Sequence, residues 1–561
     1  MPLLQINCPH ILLLSTSISL PSEMENPLLL LLLATLLAAL VLFLRRFSRR
    51  SGRRSPLPGG SLGWPIIGET LDFVSAAYST RPESFMDRRR RLYGKVFKSH
   101  LFGTPTIVST DADVSRFVLH SDAKSFVPAY PKSLTELMGR SSILVISGGL
   151  HRRVHGLAAS FFKSPLLKSQ LTAGMQSSVR RAMASWSDGN LVLIQDQAKQ
   201  IVFEILVKGL IGLEPGEEMQ FLKREFQEFI AGLISLPIKL PGTRLHRSLQ
   251  AKKKMMMLVK RIIEEKRRKK QKNEAGLSNP RDVIDVLVND TGGELTDELI
   301  SSNMIDFMIP AEDSVPVLIT LAVKYLSDCP LALRRLEEEN VELMERKSRS
   351  GEELQWNDYM ALSFTQDVIT ETLRLGNIIG GIMRKTVRDL EVKGHFMPKG
   401  WCVFAYFRSV HLDNTLYDDP LSFNPWRWKD MEKMMSCSFT PFGGGQRLCP
   451  GLELARLEAS IFLHHLVDGR GGPGGELPHG EVEGRDARTC HQEDEHVRAG
   501  RLRTCAPVGP LVRVFGQRHG PEATAAFLKY LHVWAFDRTW EVDSAELESV
   551  HWFRSPRASR A

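Results

Sequence analysis

The stretch Phe442-Gly443-Gly444-Gly445-Gln446-Arg447-Leu448-Cys449-Pro450-Gly451 constrains this 561-residue chain more than any other part of it. Consecutive glycines let a backbone turn back tightly and approach a flat ligand with no side chain between. Arg447 sets a cation close before the sulfur, and Pro450 suits the first position of a helix, which residues 452–459 read as continuing. A sulfur at a helix N-terminus is favoured as the thiolate, the form that binds metal. The competing reading is a buried free cysteine in a glycine-rich turn.

Phe442, Gly445, Arg447, Cys449 and Gly451 fill the fixed positions of Phe-x-x-Gly-x-Arg-x-Cys-x-Gly. On these residues the chain resembles the cytochrome P450 family of haem-thiolate monooxygenases. Length alone suggests about three or four domains. The resemblance instead implies one catalytic domain over residues 55–467, mainly α with small β-sheets, and haem b ligated by Cys449. A hydrophobic content of 43 % is ample for a core of that size. The net charge of +9 comes with no aromatic–basic module, which argues against a nucleic-acid partner. The seven cysteines show no C-x-x-C pair, the usage of a reducing compartment rather than a disulfide framework.

Two segments flank that domain. Residues 28–44 are apolar except for Thr35, roughly 26 Å as a helix, the short end of what spans a bilayer. Arg45, Arg46, Arg49, Arg50, Arg53 and Arg54 follow, which places the next domain on the cytoplasmic side. Residues 1–54 are therefore expected to be a single-pass anchor with a basic flank, and Met24 is a candidate start. Pro56-Leu57-Pro58-Gly59-Gly60 makes a stiff hinge behind it. At the other end, Asp468-Gly469-Arg470-Gly471-Gly472-Pro473-Gly474-Gly475 opens a tail to residue 561 whose composition changes abruptly. The family continues there with strands that close the small sheet. The tail reads as an altered reading frame or a retained intron, with a true variant as the other reading, and it is expected to impair activity.

Within the domain, alternation predicts strands near 96–101 and 106–108, and strand-like segments return near 389–392 and 402–406. Helical periodicity marks 194–234, 246–272, 296–327 and 363–375. The run from Lys252 to Lys270 predicts an amphipathic helix with a solvated basic face, contact with an anionic membrane being the second reading.

The resemblance then assigns roles. Glu371 and Arg374, one helical turn apart, with Arg427 in Phe423-Asn424-Pro425-Trp426-Arg427-Trp428, match the family's buried charged triad. Its task is architectural. Arg447, Arg384, His151 and His155 are expected to hold the haem propionates, and His151 and His155 share a helical face. On the distal side Asp313 and Ser314 match the acid–alcohol pair that supplies protons for oxygen chemistry. Pro310 and Ala311 replace the family's small pair. Each proline leaves the carbonyl four residues back unpaired, so Pro310 is expected to free the Asp306 carbonyl and Pro316 that of Glu312.

Phe126-Val127-Pro128-Ala129-Tyr130-Pro131-Lys132-Ser133, residues 235–243 and the Pro310–Pro316 segment are similar to plant brassinosteroid-synthesising members, above all those that hydroxylate steroid carbon 23. Relatives that hydroxylate carbon 22 or oxidise carbon 3 are the alternative, as is a haem-binding protein inactivated by its tail. The same resemblance places Met304, Met308, Ala311, Gly380, Ile382 and Met383 around the substrate. It implies O2, a steroid, membrane lipid and NADPH–cytochrome P450 reductase as partners at the endoplasmic reticulum membrane.

Overall fold

Strands β1 (Val96–Leu101) and β2 (Thr104–Ser109) form an antiparallel hairpin. Phe102 and Gly103 close it at φ 53° and 73°, the left-handed pair that a tight hairpin turn requires. Strands β3 (Phe126–Pro128), β4 (Gly381–Thr386), β5 (Leu390–Val392), β6 (His395–Met397) and β7 (Cys402–Tyr406) follow along the chain. The main sheet has the order β1-β2-β7-β4-β3, with β7 parallel to β2 and antiparallel to β4. β7 is central and buried along its whole length, as its unbroken run Cys-Val-Phe-Ala-Tyr implies. β5 and β6 make a second hairpin.

The computed structural model describes residues 57–468, except 65–66, 78, 80, 187–191, 234, 236, 273–279, 291–294 and 431–437. The expected anchor and all of the tail beyond Asp468 lie outside the described residues. Among the described residues no single helix is long and apolar enough to cross a membrane.

Helices make up most of the rest and share one large apolar core. Leu457, Ile461, Phe462 and Leu463 of the helix Leu452–Asp468 sit in it, fully buried, with Val368 and Ile369 of Ser363–Gly376. Ile319 and Ala322 of the helix Val315–Asp328 complete the contact. The cysteine loop thus leads directly into a helix of the large apolar core.

Four sequence expectations are corrected. The periodic segment 194–234 is two helices, Ile194–Ile211 and Glu217–Ile230, because Gly212 turns left-handed at φ 72° and closes the first onto the Lys208 carbonyl. The segment 296–327 is three, Asp297–Met308, Pro310–Asp313 and Val315–Asp328, broken ahead of each proline. The Asp306 carbonyl is not left free: it accepts from Ile309 N at 3.2 Å, a tighter turn replacing the bond that Pro310 removes. Pro450 does not open the final helix, which starts at Leu452; Ala455 N instead reaches the Gly451 carbonyl at 2.9 Å.

The basic helix Arg244–Lys272 also departs from its simple reading. Lys252, assigned to a solvated face, is buried, and its ammonium caps the carbonyls of Leu137 and Met138 and reaches Ser302 Oγ. Other cations on the helix pair with acids, among them Lys254 with Glu225 and Arg267 with Asp297.

Candidate active site

The cysteine loop is a closed unit. Cys449 N donates to Phe442 O at 3.1 Å and Gly443 N to Thr440 O at 3.0 Å. Gly445 has φ 64°, and a Cβ there would lie 2.3 Å from the Leu119 carbonyl oxygen. No other residue fits, because the loop lies directly on the end of the helix Ala112–His120. His155 Nε2 meets the Leu448 carbonyl at 2.7 Å and holds the residue before the ligand. Burial pushes the Cys449 thiol up, and the Gly451 amide pulls it the other way. The residue still keeps part of its surface accessible, whereas Cys402 in the sheet is buried. Cys449 therefore combines a thiol shifted by burial with a residue that is not wholly enclosed.

Next to the cysteine loop the structure gathers cations around Asp122. Arg447 Nε donates to Asp122 Oδ2 at 2.9 Å, and its other nitrogens reach the carbonyls of Ile143 and Ile146. Arg384 Nε lies 4.0 Å from Asp122 Oδ1. His151 is buried, stacks on His155 at 5.4 Å and has no hydrogen-bond partner at Nδ1. Burial, then Arg447, His155 and Arg384, drive its pKa down to about 3, so the ring is neutral. Burial also lowers the pKa of Arg447 despite Asp122. One carboxylate between two guanidiniums leaves this pocket short of negative charge. A dianionic group beside Cys449 supplies what is missing, and the two propionates of haem fit that description. Asp122 is a member that sequence reasoning missed. An acidic residue in a cationic pocket gives no motif, and its partners lie hundreds of positions away.

Behind the loop, Glu371 and Arg374 are fully buried and meet in a two-pronged pair at 2.9 and 2.8 Å. Arg427 Nε, Asn424 N and Trp428 Nε1 also donate to the Glu371 carboxylate, each at 3.0 Å. Arg374 Nη1 continues to the His411 carbonyl at 2.9 Å. His411 then links the network to the cysteine loop: its Nε2 accepts from Thr440 N at 3.1 Å while Nδ1 faces Asn377 Oδ1 at 2.8 Å. His411 carried no sequence signal, since its partners are a loop amide and an Asn at positive φ.

The distal helix is different. Ser314 sits at the junction of two pieces with φ −114° and ψ −70°, and Asp313 beside it is buried. Glu312 pairs with Lys199 of the helix Ile194–Ile211 at 2.5 Å, a contact the sequence did not suggest. Met304, Met308 and Ala311 are buried in the helical core, while Phe307, Pro310 and Ser314 keep accessible surface along one face. Ile382 and Met383 come from β4, and the Gly380 carbonyl accepts from Phe407 N at 2.7 Å. The candidate pocket residues therefore come from the broken helix on one side and from β4 with the residue before it on the other.

A mainly helical body with a small mixed sheet, a cysteine loop seated on a buried Glu–Arg network and a cationic pocket beside the sulfur define a haem-thiolate protein. The Cytochrome P450 family matches residues 58–468, and the chain belongs to that family, whose cofactor is haem. It is 69 % identical over 412 residues to Cytochrome P450 90D2 of Oryza sativa subsp. japonica, covering 73 % of this chain and 83 % of that one. To 3-epi-6-deoxocathasterone 23-monooxygenase CYP90D1 of Arabidopsis thaliana it is 61 % identical over 410 residues, with the same coverage. Among solved structures, retinoic acid bound cyanobacterial CYP120A1 superposes with a TM-score of 0.64 at 26 % identity, over 74 % of this chain and 92 % of that one.

Proposed function

We propose that this protein is a membrane-anchored monooxygenase that hydroxylates the side chain of a plant steroid at carbon 23. The observation that carries the reading is the 61 % identity to a 23-monooxygenase across 83 % of its length, with the haem-site residues in place. One atom of O2 enters a C–H bond of the steroid, and the other leaves as water with two protons and two electrons. The electrons come from NADPH through cytochrome P450 reductase.

Haem held by Cys449 supplies the activation of oxygen. Arg447, Arg384 and His151 would hold its propionates, and His155 fixes the backbone at Leu448 beside Cys449. Asp313 and Ser314 relay protons at the break in the distal helix. Phe307, Met304, Met308 and Ala311 form one wall of the substrate site, and Gly380, Ile382 and Met383 the other. Apolar, largely rigid walls suit a steroid. Residues 28–44 anchor the body at the endoplasmic reticulum membrane, with residues 55–467 as the catalytic domain on the cytoplasmic side.

The test is incubation of the full chain with 22-hydroxylated C27–C29 sterols, NADPH and a plant reductase, the products being identified by mass spectrometry. A 23-hydroxylated steroid is expected. Product oxidised only at carbon 22 or carbon 3 overturns the assignment of position, and oxygen-independent turnover overturns the reaction class.

A further inference from the structure

At the end of the helix Leu452–Asp468, His464, His465 and Asp468 bring one ligand atom each within 4.8 Å of one another. His464 is fully buried, and its Nδ1 lies 2.8 Å from Asn340 Oδ1. The Asn340 amide nitrogen is spent on the Leu336 carbonyl at 2.8 Å, so its oxygen faces the ring and accepts the Nδ1 proton. That contact fixes the tautomer and leaves a bare lone pair on His464 Nε2, which has no hydrogen-bond partner. His465 Nε2 is also enclosed without a partner. Two enclosed, unpartnered ring nitrogens on neighbouring residues, with ring centroids 5.0 Å apart, are a costly arrangement without a ligand.

We propose that His464, His465 and Asp468 form a binding site for a divalent transition-metal ion of the Zn2+ type. Two imidazoles and a carboxylate match the donor preference of zinc, and water completes four-coordination. A ligating histidine characteristically donates its other ring N–H to an oxygen, which is what Asn340 accepts here. Tyr359, packed edge-on to His464 at 5.4 Å, holds the ring in place. Arg180 is the opposing charge, and it is turned onto Gln176, with Nη2 3.2 Å from Oε1. Asp468 offsets it. His464 lies about 18 Å along the helix from Leu452, so the site is separate from the haem ligand. The His464 ring is itself held by the helices Pro330–Ser350 and Trp356–Met360, which carry Asn340 and Tyr359.

The test uses the haem-loaded full chain, treated with chelator and then dialysed against Zn2+ alone. His464→Ala also breaks the bond to Asn340, so the decisive variants are His465→Ala and Asp468→Asn, nearer the exposed end of the helix. Wild type should retain one Zn2+ per chain that both variants hold about 100-fold more weakly. X-ray absorption should show only nitrogen and oxygen ligands at about 2.0–2.1 Å. Equal affinity in wild type and variants, no retained Zn2+ in wild type, or sulfur in the coordination shell each overturns the site.

Discussion

The two sides of the haem pocket are built by opposite means. On the cysteine side every strong donor and acceptor of the core network is matched: the Glu371 carboxylate alone accepts from Arg374, Arg427, Asn424 and Trp428. On the distal side one helix is cut into three by Pro310 and Pro316, and Ser314 sits at a break. The first side specifies one geometry, because any unpaired member of a buried charge network is expensive. The second gives up regular helical hydrogen bonding at the stretch proposed to relay protons. The fully paired network lies behind the cysteine loop, and the irregular backbone lies in the distal helix.

The largest break in this comparison is at the sulfur itself. Cys449→Ser should abolish the thiolate-type absorption of the reduced, carbon-monoxide-treated protein completely, while the Glu371 network and the fold persist. Retention of that spectrum would remove Cys449 from the site. Next comes the network behind it. Glu371→Gln or Arg374→Lys should lower unfolding free energy by about 3–5 kcal/mol, since either leaves a buried charge without its two-pronged partner. Denaturant titration reads this directly. A loss no larger than that of a surface substitution would show that the cysteine side is not held as described.

What the sequence made legible follows the same division. The cysteine loop, Glu371, Arg374 and Arg427 were readable because each belongs to a short local pattern. The β1–β2 strands were readable from alternation, and β7 was readable as a strand-like segment. The breaks in the long helices were harder, since Gly212 and Pro310 sit inside otherwise continuous periodicity. Asp122, His411 and the Lys199–Glu312 pair were not legible at all. Each gains meaning only from a partner far along the chain, such as Arg447 for Asp122. Lys252 was misread because a charge on a basic stripe looks solvated until the carbonyls of Leu137 and Met138 are found beneath it.

The distal side should respond in rate rather than in stability. Asp313→Asn should lower kcat by about 100-fold, the scale of a lost proton-transfer group. Ser314→Ala should lower product formed per NADPH consumed. In both variants the carbon monoxide spectrum and the denaturation midpoint should stay at wild-type values. If Asp313→Asn instead unfolds the protein as readily as Glu371→Gln, the distal helix is also a structural network and the contrast between the two sides disappears.

The smallest effect concerns the link between the network and the loop. Burial, then Arg374 and Arg408, hold the His411 pKa down to about 3, against 6.5 for an ordinary histidine. The unfolded chain therefore takes up a proton near pH 6.5 that the folded chain refuses. Stability from this group is full above pH 6.5 and is lost as pH falls toward 3, at up to about 1.4 kcal/mol per pH unit. His411→Gln keeps an amide able to meet Asn377 and Thr440 but removes the titration. Between pH 7 and pH 5 the wild type should lose roughly 2 kcal/mol more than this variant, read as a steeper fall in denaturation midpoint. Equal slopes would mean that His411 is not held neutral between Asn377 and Thr440, and that the cysteine loop is tied to the Glu371 network by some other contact.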